Sequence, residues 1–142
     1  MIRKATPNDL NRIVELGIEA LRIERYPNLV LSQERLQAMA VACISSTQHF
    51  SWVCEQEGKL MGAVLAMTVP GFWFERSECN VIMFFCKAPG EGVKMLRELL
   101  RWYRSRPILK RLMFVCEFDA DPRIEKLLSR LGAKKICPVY MF

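Results

Sequence analysis

The segment that most constrains the fold of this chain is a proline–glycine turn, Lys87-Ala88-Pro89-Gly90-Glu91-Gly92, which separates two apolar segments of different periodicity. The segment before it, Val81 to Cys86, is rich in β-branched and aromatic residues and too short for a helix, which is typical of a buried strand. The segment after it, Val93 to Arg104, carries apolar residues at helical spacing. This order predicts a strand, a glycine turn and then a long helix.

Such a turn can bind an anion with backbone groups alone. Gly90 and Gly92 can adopt left-handed backbone or allow another group to approach closely, and the first amides of a helix have no partner within it. The helix dipole places partial positive charge at the same end, which favours a phosphate or pyrophosphate. The alternative is an ordinary strand-to-helix connection that needs glycine only for its geometry. The turn therefore predicts a phosphorylated ligand without identifying it.

The composition indicates one globular domain that spans residues 1–142. No apolar run approaches the length of a membrane span, and the first residues lack the apolar core of a signal peptide. The six cysteines form no Cys-x-x-Cys pair and the chain has one histidine, so we expect no metal site and a reduced, cytoplasmic protein. The net charge of +6 favours an anionic ligand or partner, but does not choose among a cofactor, a nucleic acid and an acidic protein.

The patterns along the chain predict the element order β-α-α-β-β-β-α-β-α-β. The predicted strands cover residues 2–5, 50–55, 60–69, 81–86, 112–118 and 135–142. The predicted helices follow Thr6, Ser32, Gly92 and Asp121. Glu57-Gly58-Lys59 predicts a tight turn between the second and third strands. A hairpin inserted among α/β connections indicates an α/β (α+β) fold, with a mixed, mostly antiparallel sheet and helices on both faces.

Three short motifs occur at intervals that cover nearly the whole chain. They are Ile2-Arg3-Lys4-Ala5-Thr6-Pro7-Asn8-Asp9, then Glu57-Gly58-Lys59-Leu60-Met61-Gly62, then Lys87-x-x-Gly90-x-Gly92. In this order they resemble the GNAT superfamily of acyl-CoA-dependent N-acetyltransferases. There they would form the first strand and helix cap, the hairpin between the second and third strands, and the pyrophosphate loop Arg/Gln-x-x-Gly-x-Gly/Ala, here with lysine at its first position.

The resemblance implies that acetyl-CoA is the co-substrate and that no metal takes part. The residues implied to bind the CoA pyrophosphate belong to the turn and the first turn of the helix: Lys87, Gly90, Glu91, Gly92, Val93 and Lys94. The residues whose backbone is implied to pair with the pantetheine arm precede the turn: Ile82, Met83 and Phe84. An extended arm can add to a sheet where two strands separate, in the manner of β-augmentation.

The resemblance also implies a general base, and Glu78 stands where many relatives carry a glutamate with that role, often acting through water. An aliphatic amine with a pKa near ~10 is mostly protonated at neutral pH, so a proton must be removed before the nitrogen can attack. A backbone amide would meet the charge that develops on the carbonyl oxygen. Glu75 and Glu117 are the alternative bases. The alternative interpretation of Glu78 is an exposed carboxylate at a strand end.

The sequence departs from the GNAT pattern near its end. Leu128 replaces the tyrosine that usually serves as general acid, so the candidates for that role are Tyr140, Tyr103 and water. Asp121 replaces a frequent asparagine, and we expect it to cap the helix. Ten residues follow Gly132, which leaves room for one final strand instead of two. We expect the resulting open sheet edge, or the aromatic loop Phe72-Trp73-Phe74, to be a candidate homodimer contact.

We therefore interpret the chain as an N-acetyltransferase in which a primary amine of a small-molecule or protein acceptor attacks the thioester directly. No cysteine stands in a nucleophile–base arrangement. The acceptor cleft is expected from residues 24–30, residues 70–77 and the final strand, with the aromatic loop either lining it or packed on the core. The alternative function is a catalytically weak or inactive module with the same fold that binds CoA or a protein.

A nucleic-acid-binding function is disfavoured but stays open. Four basic residues recur at helical spacing after the glycine turn: Lys94, Arg97, Arg101 and Arg104. Such a stripe is ordinarily the solvated face of an amphipathic helix. No recognisable nucleic-acid-binding module accompanies it.

Overall fold

The computed structural model describes residues 1–21, 26–115, 122–136 and 142 of the chain. The strands are β1 Ile2–Lys4, β2 Phe50–Gln56, β3 Lys59–Pro70, β4 Ser77–Cys86 and β5 Leu109–Phe114. The helices are α1 Leu10–Leu21, α2 Gln33–Ser45, α3 Glu91–Arg104 and α4 Pro122–Arg130, with a 3-10 turn at Pro7–Asp9 before α1. Glu117, Asp121, Tyr140 and most of the predicted final strand lie outside the described residues.

The five strands form one sheet in the order β1-β2-β3-β4-β5. Neighbouring strands are antiparallel except for β4 and β5, which are parallel. Side chains of α1 and α2 pack on one face of the sheet, and those of α3 and α4 pack on the other. The predicted fold class, a mixed and mostly antiparallel sheet between helices, is confirmed. No helix within the described ranges has both the length and the apolar character that a membrane span requires.

The β2–β3 hairpin closes through the predicted turn. Glu57 and Gly58 have φ angles of 52° and 74°, so both central residues of the turn are left-handed. Two consecutive positive φ angles define a type I′ turn, whose twist matches that of the strands it joins. Glycine meets this requirement without steric cost, which explains why a short Glu-Gly sequence fixes the hairpin at this place.

The N-terminal segment is held by a buried carboxylate. Asp9 is 7% exposed and accepts two parallel hydrogen bonds from the Arg3 guanidinium, at 2.8 and 2.9 Å. It also accepts from the backbone N–H of Thr6 at 2.7 Å, at the start of the 3-10 turn. Arg3 donates a further bond to Glu55 at 2.9 Å. The hydrogen bonds from Arg3 lower the pKa of Asp9 to about 2, and the cluster ties β1, the first turn and β2 together.

Helix α3 buries a different face from the one its apolar spacing predicted. The spacing of Val93, Leu96, Leu100 and Tyr103 is helical, but the buried residues of α3 are Met95, Leu96 and Leu99. The reason is that Gly92 lies against β4, and positions three, four and seven residues beyond it share its face of the helix. Close contact at the first turn therefore sets the rotation of the whole helix.

Candidate functional site

Strand β4 carries a bulge at Ile82. Ala66 of β3 pairs with Val81, and the preceding residue, Leu65, pairs with Met83, so Ile82 has no partner on β3. Pairing between β4 and β5 ends at the same level, at Val81 and Phe114. A bulge increases the local twist of the strand that carries it, and the described part of β5 ends at Phe114. Beyond Val81, β4 therefore presents a backbone edge with no β5 partner in the described part of the chain.

The N-terminus of α3 follows directly from this strand. Gly90 precedes the helix with a φ of 77° and supplies no side chain to cap it. The amide of Glu91 donates to the carbonyl of Ala88 at 3.3 Å, whereas the amides of Gly92 and Val93 donate to no backbone carbonyl among the described residues. Unpartnered amides at the N-terminus of a helix are suited to an anion. This arrangement fits the phosphorylated ligand that the turn predicted.

Gly92 allows the start of the helix to approach the strand. A Cβ atom at Gly92 would lie 3.2 Å from Cζ of Phe84 and 3.4 Å from Cβ of Cys86. The second glycine of the motif is therefore explained by close packing, and the first by its left-handed backbone. Both glycines bring the free amides next to the part of β4 that has no β5 partner within the described ranges.

The charged side chains around this helix terminus already have partners. The ammonium of Lys87 is paired with Glu19 of α1, and that of Lys94 is paired with Glu91. The N-terminal ammonium of Met1 lies 3.6 Å from the second oxygen of Glu91. The hydrogen bond from Lys94 lowers the pKa of Glu91. Because these side chains neutralise one another, the backbone amides are the main unpaired donors at this position.

The basic residues of α3 lie on its exposed face. Arg97 and Arg104 are exposed, as are Lys94 and Arg101, and Arg101 is paired with Glu98 one turn earlier on the same helix. This is the arrangement of an ordinary solvated helix face.

Glu78 is buried and paired with an arginine of the neighbouring strand. It is 5% exposed, and its Oε1 lies 2.7 Å from Nη2 of Arg111, which is its direct partner in the register of β4 and β5. The interpretation of Glu78 as an exposed strand-end charge is therefore wrong. Its strand neighbours Cys79 and Val81 pack in the cluster beneath α3, so alternation places Glu78 on the opposite face of the sheet.

A cleft of about 610 Å³ opens beside Glu78, lined by residues 73–78, Lys110 and Arg111. Its aromatic wall is exposed: Phe72, Trp73 and Phe74 are 84%, 78% and 62% accessible, so they do not pack back on the core. The loop that carries them is closed by a 2.8 Å hydrogen bond from the Gly71 amide to the Arg76 carbonyl. Glu75, the alternative base, is exposed in the same wall.

Two polar atoms near Glu78 were missed as functional candidates by the sequence analysis. Oδ1 of Asn80 and Nε of Arg111 are buried and have no hydrogen-bond partner in the part of the chain that the structure describes. Asn80 lies two residues beyond Glu78 on β4, and therefore on the same face. An asparagine that shares its face with a glutamate in an otherwise apolar strand was the available signal. Nothing in the local sequence distinguishes Arg111 from the other basic residues that make up the net charge of +6.

Three of the described thiols are poorly suited to nucleophilic chemistry. Burial raises the pKa of Cys79 to about 12, and burial is also the main reason why the pKa values of Cys43 and Cys86 rise to about 11. A nucleophilic cysteine needs a lowered pKa. Across residues 1–21, 26–115 and 122–136, no group of three or more histidine, cysteine, aspartate or glutamate side chains is placed to hold a metal ion.

No protein-family model matches the chain, and no curated protein sequence matches it. Solved structures do match. One is a predicted acetyltransferase from Clostridium acetobutylicum with acetyl-CoA, at 13% identity, with coverage of 100% of this chain and 94% of that one and a TM-score of 0.77. A possible acetyltransferase from Clostridium difficile 630 matches at 11% identity, 100% and 95% coverage and a TM-score of 0.71.

A third structure is an aminoglycoside acetyltransferase from an uncultured soil metagenomic sample, in complex with sisomicin. It matches at 15% identity, with coverage of 100% of this chain and 95% of that one and a TM-score of 0.65. The chain therefore has the fold of the GNAT-type acetyltransferases, as the resemblance implied.

Proposed function

We propose that this protein transfers an acetyl group from acetyl-CoA to a primary amine of an acceptor. The observation that carries the proposal is the position of the α3 N-terminus, which no side chain caps, beside the part of β4 that has no β5 partner among the described residues. Helix α3 offers backbone N–H donors for a phosphate, and β4 offers a strand edge with which an extended chain can pair. A pyrophosphate attached to an amide-containing arm requires both, in this order along the chain.

The residues proposed to hold the donor lie on both sides of the glycine turn. The amides of Gly92 and Val93 would bind the pyrophosphate, with Lys87 and Lys94 able to exchange their carboxylate partners for a phosphate oxygen. The backbone of residues 82–84 would pair with the pantetheine arm. The Clostridium acetobutylicum relative, which was solved with acetyl-CoA, supports this choice of donor.

Glu78 is the proposed general base. It would accept a proton from the acceptor amine, directly or through water, so that the nitrogen can attack the thioester carbonyl carbon. A C–N bond forms, the C–S bond breaks and the sulfur takes up a proton, which gives an N-acetylated amine and free CoA. Tyr140 is the proposed source of that last proton, with water as the alternative. Direct transfer is supported by the raised pKa values of the thiols, which disfavour an acetyl-cysteine intermediate.

The test is a binding titration with acetyl-CoA followed by a CoA-release assay with a panel of amines. We expect saturable binding of acetyl-CoA, and CoA release that depends on the amine. A small-molecule acceptor is proposed because the soil-metagenome relative was solved with sisomicin. Absence of acetyl-CoA binding at millimolar concentration would rule out the proposed donor.

A second candidate function is a CoA-binding module without turnover. The observation that favours it is the Glu78–Arg111 pair, since a buried carboxylate held by arginine is also what a purely structural ion pair looks like. This alternative predicts that acetyl-CoA binds and stabilises the protein while no amine in the panel accelerates CoA release. The same two measurements therefore distinguish the functions.

A further inference from the structure

We propose that the acceptor is an amine that also carries an anionic group, which binds among the cationic side chains of the cleft beside Glu78. This inference rests on the proposed function, because it assigns the cleft to the acceptor. The cleft has the volume for a small molecule, about 610 Å³, and it borders the candidate base. The aromatic wall of Trp73 and Phe74 adds an exposed apolar surface for the body of the ligand.

The charge of the cleft favours an anionic group on the ligand. Its lining contains three cations, Arg76, Lys110 and Arg111, and two carboxylates, Glu75 and Glu78. The pair between Glu78 and Arg111 neutralises one charge of each sign. Neither Arg76 nor Lys110 forms an ion pair within the described residues. The cleft is therefore net positive, which attracts an anionic group and disfavours a polycation.

Arg111 also has a buried donor without a partner. It uses Nη2 for Glu78, but its Nε–H is buried and has no acceptor in the described part of the chain. A buried group left without its hydrogen bond is destabilising. Because Arg111 lines the cleft, a carboxylate bound there would place an acceptor beside this guanidinium.

Together these side chains describe a ligand that has both an amine and an anionic group. The candidate base Glu78 and its partner Arg111 lie side by side on β4 and β5, and both line the cleft. An amine near Glu78 would therefore have its own anionic group within reach of Arg111, Arg76 and Lys110. Simple amines and polyamines supply the amine but lack the anionic group.

The experiment compares acceptors that differ by one carboxylate: tryptophan with tryptamine, phenylalanine with phenethylamine, and tyrosine with tyramine. CoA release is measured with each, and with spermidine and kanamycin as polycations. We expect the carboxylate-bearing member of each reactive pair to have at least ~10-fold higher kcat/KM, and both polycations to be poorer still. A preference for the decarboxylated amines or the polycations would overturn this inference and leave the proposed function in place.

Substitutions in the cleft test whether its cationic side chains cause the preference for acceptors that carry a carboxylate. The double variant Arg76→Gln with Lys110→Gln should bring the two members of a pair close to equal kcat/KM. Lys59→Gln removes the same type of charge from the opposite end of β3 and should leave the preference unchanged. If the double variant keeps the full preference, the cationic side chains of the cleft do not recognise the anionic group.

A binding measurement separates this inference from catalysis. If no amine releases CoA, the proposed function fails, and calorimetry with tryptophan and tryptamine in the presence of CoA decides the acceptor question alone. Tighter binding of tryptophan, lost in the double variant, supports an anionic amine as the ligand of the cleft. Equal or weaker binding of tryptophan refutes it.

Discussion

Gly92 and Phe84 lie so close that the Cβ atom a larger residue would add at Gly92 falls 3.2 Å from Cζ of the Phe84 ring. This contact joins the first turn of α3 to the part of β4 that has no partner on β5. Gly92 thus allows the N-terminal amides of α3 to lie close to this part of β4. A side chain at position 92 would therefore affect both the N-terminal amides of α3 and the adjacent part of β4.

We predict that Gly92→Asp abolishes acetyl-CoA binding. The substitution introduces a carboxylate where the pyrophosphate is proposed to bind and adds a Cβ atom that crowds the Phe84 ring. A loss of more than ~100-fold in affinity, about 2.7 kcal/mol, is expected in a calorimetric titration. Gly92→Ala separates the steric effect from the effect of charge, because it adds only the steric conflict. Its loss of acetyl-CoA affinity should therefore be smaller. Unchanged affinity in a folded Gly92→Asp variant would remove the donor site from α3.

Glu78→Gln should lower turnover while acetyl-CoA affinity stays within twofold. A general base contributes roughly 10²- to 10⁴-fold to the rate, so a loss of at least ~100-fold in kcat is expected. Glu75→Gln, in the exposed wall of the same cleft, is the control, and its loss of kcat should be much smaller. If Glu75→Gln shows the larger loss, the proton acceptor is Glu75. If both variants keep wild-type kcat, neither carboxylate is the base.

The Arg3–Asp9 pair predicts a specific acid sensitivity. Hydrogen bonds from Arg3 lower the pKa of Asp9 from 3.8 to about 2, so its contribution to stability is complete above pH ~5 and is lost as the pH falls towards 2. We expect the free energy of unfolding in urea to fall by about 1–2 kcal/mol more over this range in the wild type than in Asp9→Asn. Glu15→Gln, which removes an exposed pair with Arg12, should leave the pH dependence of the wild type intact. Identical pH profiles of the wild type and Asp9→Asn would contradict the assignment.

The raised pKa values of three thiols predict slow alkylation of the native protein. With pKa values of about 11 for Cys43 and Cys86 and about 12 for Cys79, each thiolate is scarce at pH 8. Peptide mapping after iodoacetamide treatment should show these sites reacting at least ~100-fold more slowly than in guanidinium chloride. Rapid modification of Cys86 before unfolding would show that the strand edge near the glycine turn opens readily.

A local feature was predictable where the residues that determine it stand next to one another in the sequence. The Glu57–Gly58 turn and the left-handed Gly90 follow from residue type alone, and both are confirmed. The burial of Glu78 was not predictable, because its partner Arg111 lies more than thirty residues away on a strand brought alongside by the α3 crossover. The buried face of α3 was not predictable for a related reason, since the contact of Gly92 with Phe84 on another element fixes how the helix lies on the sheet.

The extra residue at Ile82 has a consequence for how this sheet tolerates change. Ile82 and Met83 point to the same face, so the strand keeps its alternation on either side of the bulge. Deletion of Ile82 should therefore restore regular pairing between β3 and β4 without moving any other side chain to the opposite face. The bulge thus gives β4 one more residue than β3 has opposite it, while the apolar side chains of β4 stay on the faces that the helices cover.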